Sequence, residues 1–314
     1  MKIRFFCLGI ILAGMISAGI FMQSCSSGSS EDIQQGYSNE EDLASDVKIG
    51  FEKIGFEHNR GLDYVFEHLK NNLESKDVKL KSADNIFKSA EDIFKLVEDA
   101  SIDFVHKSDY GKFVSKEKFS EIVNITGMRP LLKSSKAGTA INPEELITLT
   151  PKQVYYVDRY KNIMASVKKD FDITATIKKI KELETEINAK CSSDEIFPLL
   201  AATSVGRHSL QYWEENLYKW SALFMPEETQ EIAAFVPRLK SNSYEVNTTQ
   251  EEWEWFYNTL ESMGESDGVG ALFGGLIGSA AGGVGAVPGA LSGACFASAN
   301  AAMISLLHRW GIYQ

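Results

Sequence analysis

Four cysteines in 314 residues are too few for a disulfide-built scaffold, and seven prolines exclude a collagen-like or proline-rich chain. Positive charge is short as well. Lys and Arg number 32 against 43 Asp and Glu, a formal net charge of −11. A nucleic-acid binder needs a concentrated basic face, so nucleic acid is not expected as a partner. The five histidines (His58, His68, His106, His208 and His308) include no H-x-x-x-H or H-E-x-x-H pair that would aim two ring nitrogens at one metal. A Walker A loop, a dinucleotide fingerprint and a Cys/His cluster are missing too, so no metal, cofactor or enzymatic activity is expected and no catalytic residue is assigned. Strand-type alternation of apolar and polar residues is nearly absent. What remains is 44% hydrophobic and 24% charged, ordinary for a globular chain with one large or two modest domains.

The first informative feature is the N-terminus. Lys2 and Arg4 precede 18 residues without a charge, Phe5 to Met22, and then Met22-Gln23-Ser24-Cys25. A basic start, an apolar middle and a small residue before the break describe a secretory signal. With a Cys at the junction it resembles a bacterial lipoprotein signal peptide, although Met22 and Gln23 depart from the usual pattern there. The resemblance implies cleavage after residue 24, acylation of Cys25, and a place in the cell envelope. The outer membrane is the expected site, with release to the outside as a second location. The alternative is an uncleaved anchor helix, since 18 apolar residues reach the lower limit for crossing a bilayer. Removing residues 1–24 takes away two cations and no acid, leaving −13. Residues 25–45, rich in Ser, Gly and Gln, read as a flexible tether. With Cys7 in the signal and Cys25 acylated, only Cys191 and Cys295 remain, paired or free.

The body, residues 46–265, reads as helical. Ala83, Phe87, Ala90, Phe94, Val97, Ser101 and Phe104 recur at spacings of four and three, with Ser82 as a cap. Thr150-Pro151 starts a second helix, whose buried face is expected at Val154, Val157, Tyr160, Met164, Val167 and Phe171. Ile173, Ile177, Ile180 and Ile187 mark a third, and Thr249-Gln250-Glu251-Glu252 is a capping-box start before Trp253, Phe256, Tyr257 and Leu260. The expected fold is all-α, a helical bundle body followed by a C-terminal Gly-rich helical hairpin.

Two short patterns stand out in the body: Gly55-x-x-His58-Asn59-x-x-Leu62-Asp63, and Ser209-x-x-Tyr212-Trp213-x-x-Asn216-x-x-x-Trp220. Together with the Gly-rich tail they resemble a largely uncharacterised family of exported lipoproteins of Gram-negative bacteria. The resemblance spans most of the mature chain and implies an address and a layout, with no catalytic residues. His58-Asn59 can hold a proton or a metal, or simply be a partly buried pair bonded to a helix end. Asp63 stands five residues on, a poor spacing for sharing a face with His58. Tyr212, Trp213, Tyr218 and Trp220, beside Arg207 and His208, read as core or as an interfacial or carbohydrate platform. Gly264-Glu265-Ser266-Asp267-Gly268 matches the G-x-S-x-G elbow formally, but no strand precedes it, so it reads as a polar break between two elements.

The tail, residues 266–314, contains 40 consecutive uncharged residues from Gly268 to Leu307. Gly270, Gly274, Gly278 and Gly282 follow at intervals of four; after a step in phase, Gly285, Gly289, Gly293, Ala297 and Ala301 repeat the interval. That spacing lines small residues along one helix stripe, where another backbone can approach closely. Val287-Pro288-Gly289 is the expected break between halves 268–287 and 289–307, each about 30 Å long and so able to span a hydrocarbon core. The segment resembles the glycine-zipper hairpins of membrane-active bacteriocins and pore-forming toxins. That implies a lipid bilayer as partner, self-association through the hairpin, and a body that shields it before insertion. The alternative is a structural or anchoring envelope protein. If Cys25 is the acylated terminus, labelled palmitate enters the wild type and not Cys25→Ala; equal labelling of both refutes it.

Overall fold

The computed structural model describes residues 40–75, 83–109, 115, 117, 149–170, 172–224, 250–280 and 285–309. Among these, 92% are helical and no strand occurs, so the fold is all-α. The described helices are α1 (Glu40–Ser75), α2 (Ala83–Lys107), α3 (Pro151–Met164), α4 (Ser166–Asp170), α5 (Ile173–Lys190), α6 (Ser193–Ser221), α7 (Gln250–Ala280) and α8 (Ala286–Arg309).

Their periodicities explain the layout. In α1, Ile54, His58, Leu62, Val65, Phe66 and Leu69 form one buried stripe at helical spacing. In α2 the stripe is Ile93, Val97, Ala100, Phe104 and Val105. Helices with one apolar stripe belong on the outside. Two others have no outside. Every residue of α6 from Pro198 to Leu210 is buried, and so is every residue of α8 from Ala286 to Met303. Helix α7 lies along both of them, α1 and α2 cover the far side of α8, and α5 closes over α6. One continuous hydrophobic core results, running from Leu62 and Trp213 to Leu272, Leu291 and Leu307.

Local chemistry sets the helix starts. Thr150 and Gln153 form a reciprocal capping box at α3, with Pro151 in the first turn. Asp172 caps α5 by accepting from the Ala175 amide. Ser192 and Glu195 form a second box at α6. Bonds from the Ser192 backbone, the Thr150 hydroxyl and the Ser192 hydroxyl lower the Glu195 carboxyl to about 2.

The structure departs from the sequence reading in several places. The polar break at Gly264–Gly268 is absent: α7 runs without interruption from Gln250 to Ala280, and the boundary drawn at 265/266 falls inside it. Isolated glycines cost a helix only about 1 kcal/mol each, which packing on both sides recovers. The hairpin also turns earlier than expected. Helix α8 already starts at Ala286, so Pro288 sits in its first turn, where a missing amide hydrogen costs nothing. On α3 the buried face is Gln153, Tyr156, Tyr160 and Met164, and Val154 is 44% exposed. Tyr160 and Met164 are on the expected face, while in the first turns Gln153, which accepts from the Thr150 amide, and Tyr156 take the buried places. Helix α1 begins at Glu40, inside the expected tether, because extending a packed helix is cheaper than nucleating one. Cys25, Ser82, Phe171 and the rest of the tether lie outside the described residues.

Since α8 and the second half of α7 fill the middle of the core, the body is not expected to fold without them, although its amphipathic stripes alone suggested that it would. A chain ending at residue 265 uncovers Trp213 and the Gly61 face of α1. By circular dichroism it is expected to keep helix but lose the cooperative thermal transition of the full chain; a melt as sharp as the full chain's refutes the shared core.

Candidate functional site: a glycine-packed hairpin and its buried carboxyl

The contact between α7 and α8 is backbone on backbone. Gly270 faces Gly293, Gly274 faces Gly289, and Gly278 faces Gly285. A Cβ on Gly274 would stand 2.1 Å from the Gly289 carbonyl oxygen, and one on Gly278 would stand 2.0 Å from that of Gly285. From the other helix, Cβ atoms on Gly285, Gly289 and Gly293 would meet the carbonyls of Gly278, Gly274 and Gly270 at 2.5, 2.1 and 2.4 Å. Real side chains never approach backbone so closely, so glycine is a steric requirement at six positions. Gly282 lies outside the described residues. Neighbouring glycines serve the shell instead: Gly268 and Gly206 make room for the Tyr160 ring, Gly264 for Met164, and Gly61 for Cys295 and Phe104.

By length and composition, α8 is the one described helix that could cross a membrane, and 89% of its apolar window is buried inside the protein. The other expected half, 268–287, extends past the described end of α7 at Ala280. Its glycines give little transfer energy.

Where the uncharged run begins, a carboxyl is buried. Asp267, the fourth residue of the pattern that resembled a nucleophile elbow, is inaccessible to solvent. Its Oδ2 accepts from the hydroxyls of Ser209 on α6 and Ser298 on α8, the latter at 2.7 Å. Trp213 Nε1 donates to the same Ser298 hydroxyl at 2.9 Å. The ring of His58 on α1, equally inaccessible, brings Nε2 to 3.6 Å from Oδ2. Burial raises the Asp267 carboxyl to about 8 against those three donors. Burial lowers His58 to about 4, against a bond to Asn59 and helped by the charge of His208. Of the alternatives open for His58, the partly buried ring bonded to a helix end is not seen: His58 is mid-helix, fully enclosed, and bonded to Asn59.

The two patterns singled out in the sequence form one interface. His208 lies over Gly55, where a Cβ would meet its ring at 2.1 Å. Asn59 donates from Nδ2 to the His208 carbonyl at 3.1 Å. The Tyr212 hydroxyl donates to Asp63 at 3.1 Å, and Phe66 packs on Trp220 with ring centroids 5.5 Å apart. Asp63 therefore serves α6, and not His58. Outside this row, Arg207 donates to Glu52 at 2.7 Å and to Glu184 at 3.2 Å, while His208 Nε2 bonds Glu52 at 2.8 Å. Burial pushes Glu52 up, but its bonds from Arg207 and His208 prevail and hold it low.

The remaining candidates are structural. Tyr212, Trp213 and Trp220 are buried, and Tyr218 stacks on Phe256 at 5.7 Å, so the aromatic cluster is core and not a platform. Ser266 lies within α7. Cys191 and Cys295 are free thiols, the latter buried. Among the described residues no three His, Cys, Asp or Glu side chains gather as metal ligands. Sequence reading passed over Asp267, Ser298 and Ser209's role. The only signal was a single acid standing directly before 40 uncharged residues.

The steric demand is testable. Gly274→Leu drives a side chain into the Gly289 backbone and is expected to cost more than the ~1–3 kcal/mol of ordinary overpacking, measured by denaturant unfolding; an unchanged midpoint refutes the packing. In comparisons with known proteins, no protein-family model, no curated protein and no solved structure matches this chain.

Proposed function

We propose that this chain is an exported envelope lipoprotein that carries a membrane-active hairpin, α7–α8, sheathed by its amphipathic helices. The observation that supports the reading most is the kind of contact inside the hairpin. Its two helices meet through glycine backbones at Gly270/Gly293, Gly274/Gly289 and Gly278/Gly285. In a water-soluble core, branched side chains give far more transfer energy than glycine, so glycine is a poor choice for stability alone. In lipid the hydrophobic driving force between helices vanishes, and close small-residue packing is what holds them together. The hairpin is thus joined in a way that survives transfer to a bilayer. The shell holds it by side-chain packing that only water enforces.

The charge distribution agrees. Residues 268–307 carry no formal charge, and the acid that precedes them is kept neutral below about pH 8 by its burial. The acidic shell contributes the chain's net negative charge, which keeps the protein in solution until the hairpin leaves. Acylation at Cys25, under the signal-peptide reading, holds it near a membrane surface.

A structural envelope role is the second reading. It draws on the polar ties from Asp267 to Ser209 and Ser298, which fasten the hairpin to the shell. Covalent tethering separates the two. A Cβ placed on Gly61 of α1 would stand 2.4 Å from the Sγ of Cys295 on α8, so Gly61→Cys puts a second thiol against the native one. The non-acylated mature protein is added to dye-loaded vesicles of phosphatidylethanolamine and phosphatidylglycerol. Wild type and reduced Gly61→Cys are expected to release dye, and the oxidised, cross-linked form to release at least tenfold less. Absence of release from every form refutes the membrane-active reading and leaves the structural one.

A further inference from the structure

We propose that His58 and Asp267 act as a one-proton clasp between shell and hairpin, holding one exchangeable proton between them from mildly acidic to mildly alkaline pH.

The tautomer follows from the hydrogen bonds. Asn59 Nδ2 donates to the His208 carbonyl, which turns Asn59 Oδ1 toward His58 Nδ1 at 3.0 Å. An amide oxygen only accepts, so Nδ1 carries hydrogen. In the neutral ring Nε2 is then a bare lone pair, and it lies 3.6 Å from Asp267 Oδ2. Neither His58 Nε2 nor Asp267 Oδ1 has another partner among the described residues. A protonated carboxyl against that lone pair is complementary. An ionised one sets a buried charge against a lone pair, with only the two serine hydroxyls to compensate. With two protons the pair holds an imidazolium beside a neutral acid, a buried charge without a counter-ion. One proton is the state that fits.

The surroundings leave the pair to itself. From α6 come Ser209, Trp213 and His208, whose ring is engaged by Glu52. From α8 come Ser298 and the Cys295 thiol, which donates to the His58 carbonyl at 3.6 Å. From α3 comes Tyr160, whose hydroxyl donates to the Gly264 carbonyl and whose proton is held tightly by burial. Lys168 on α4 pairs with Glu261, and on α2 Asp103 pairs with Lys107 and Tyr64, away from the clasp. Glu265 is on α7 itself and pairs with Lys161.

Burial supports the same state, with Asp267 held up at about 8 and His58 down at about 4. Proton counting then gives a signature. Between about pH 4 and 6.5 the folded pair holds one proton on Asp267, and the separated groups of the unfolded chain also hold one, on His58. The pair's own contribution to stability is level there. Above 6.5 the unfolded chain has released that proton while the folded pair keeps its own to about 8. The folded state binds more protons, so stability falls with rising pH, and the unfolding constant grows about tenfold per pH unit, some 30-fold in all.

Asp267→Asn replaces the acid by a neutral group whose amide can donate to Nε2, and it changes the shape of the profile. Only His58 then titrates, so stability rises with pH between about 4 and 6.5 by roughly 300-fold in the unfolding constant and is level above. Denaturant unfolding of wild type and Asp267→Asn from pH 4 to 9 is expected to give profiles that differ from each other as these two shapes do, the contributions of His208, Glu184 and the other shifted groups being common to both; parallel profiles overturn the clasp. Nitrogen NMR of the histidines in the wild type tests it without a variant. At pH 6 His58 is expected neutral, with hydrogen on Nδ1. An Nε2–H tautomer or an imidazolium at that pH overturns it. The inference holds whether or not the hairpin enters a bilayer, so a failed dye-release experiment does not touch it.

Discussion

The contact on which the rest depends is the meeting of two helix backbones at Gly274 and Gly289. At that separation no side chain fits between α7 and α8, so the hairpin has one register, in which Gly270, Gly274 and Gly278 oppose Gly293, Gly289 and Gly285 in turn. A pair so joined has almost nothing left inside to bury. Its larger apolar side chains, Leu272, Phe273, Leu291 and Phe296 among them, are buried and are covered by the surrounding helices. The shell follows from this. Each surrounding helix brings one apolar stripe and sends its charges to the opposite face, and α6 is buried on every side from Pro198 to Leu210, Arg207 and His208 included.

Sheathing a hairpin this way creates a difficulty at its mouth. The chain enters the apolar run from a charged helix, and the last ionisable group before the run, Asp267, is drawn inside with it. Two hydroxyls and an imidazole meet it there from three different helices. These groups are fully inaccessible to solvent, so they are no site for a soluble substrate. The arrangement is a way of admitting a carboxyl to a core without its charge, and it fastens α1, α6 and α8 to one point of α7. The Arg207–Glu52–Glu184 group does the corresponding work nearer the surface. Arg207 is itself buried there; its bonds hold Glu52 low, while burial raises Glu184.

How much of this was legible follows the range of the interactions. Helix starts depend on residues three apart, and the Thr150 cap was readable together with its proline. The glycine spacing was readable because an interval of four is a property of one helix. The identity of the partner stripe was not: the spacing suited a contact within the hairpin or between chains equally well. What one helix cannot announce is what its far side touches. The Gly264–Gly268 stretch read as a break because glycine and acid are poor helix formers alone; contacts to Met164, Leu210 and Tyr160 override that preference. His58 and Asp267 are 209 positions apart, and nothing local marks them as neighbours. Val154 shows the same lesson on a small scale. Its apolarity placed it inward, yet Gln153 and Tyr156 take the buried places in the first turns of α3 and leave it exposed.

Two kinds of cohesion coexist in this molecule, and they respond to solvent differently. Shell and hairpin are joined by apolar area such as the faces of Trp213 and Leu62, and that attraction exists only while water is the alternative. The two arms of the hairpin are joined by dispersion between backbones, which water neither supplies nor removes. A change of medium from water to lipid therefore weakens the first joint and spares the second. The polar clasp adds a third term of opposite kind, since hydrogen bonds from Ser209 and Ser298 strengthen as the medium becomes less polar. Opening the shell in lipid thus requires these bonds to be surrendered or carried along. Ser298 sits on the hairpin with Asp267 and can travel with it, whereas Ser209 and His58 belong to the shell and stay. Like the bonds from Trp213 to Ser298 and from Tyr160 to the Gly264 carbonyl, the clasp is a tie between shell and hairpin that a bilayer does not loosen by itself, and among these it is the one that depends on a titrating proton.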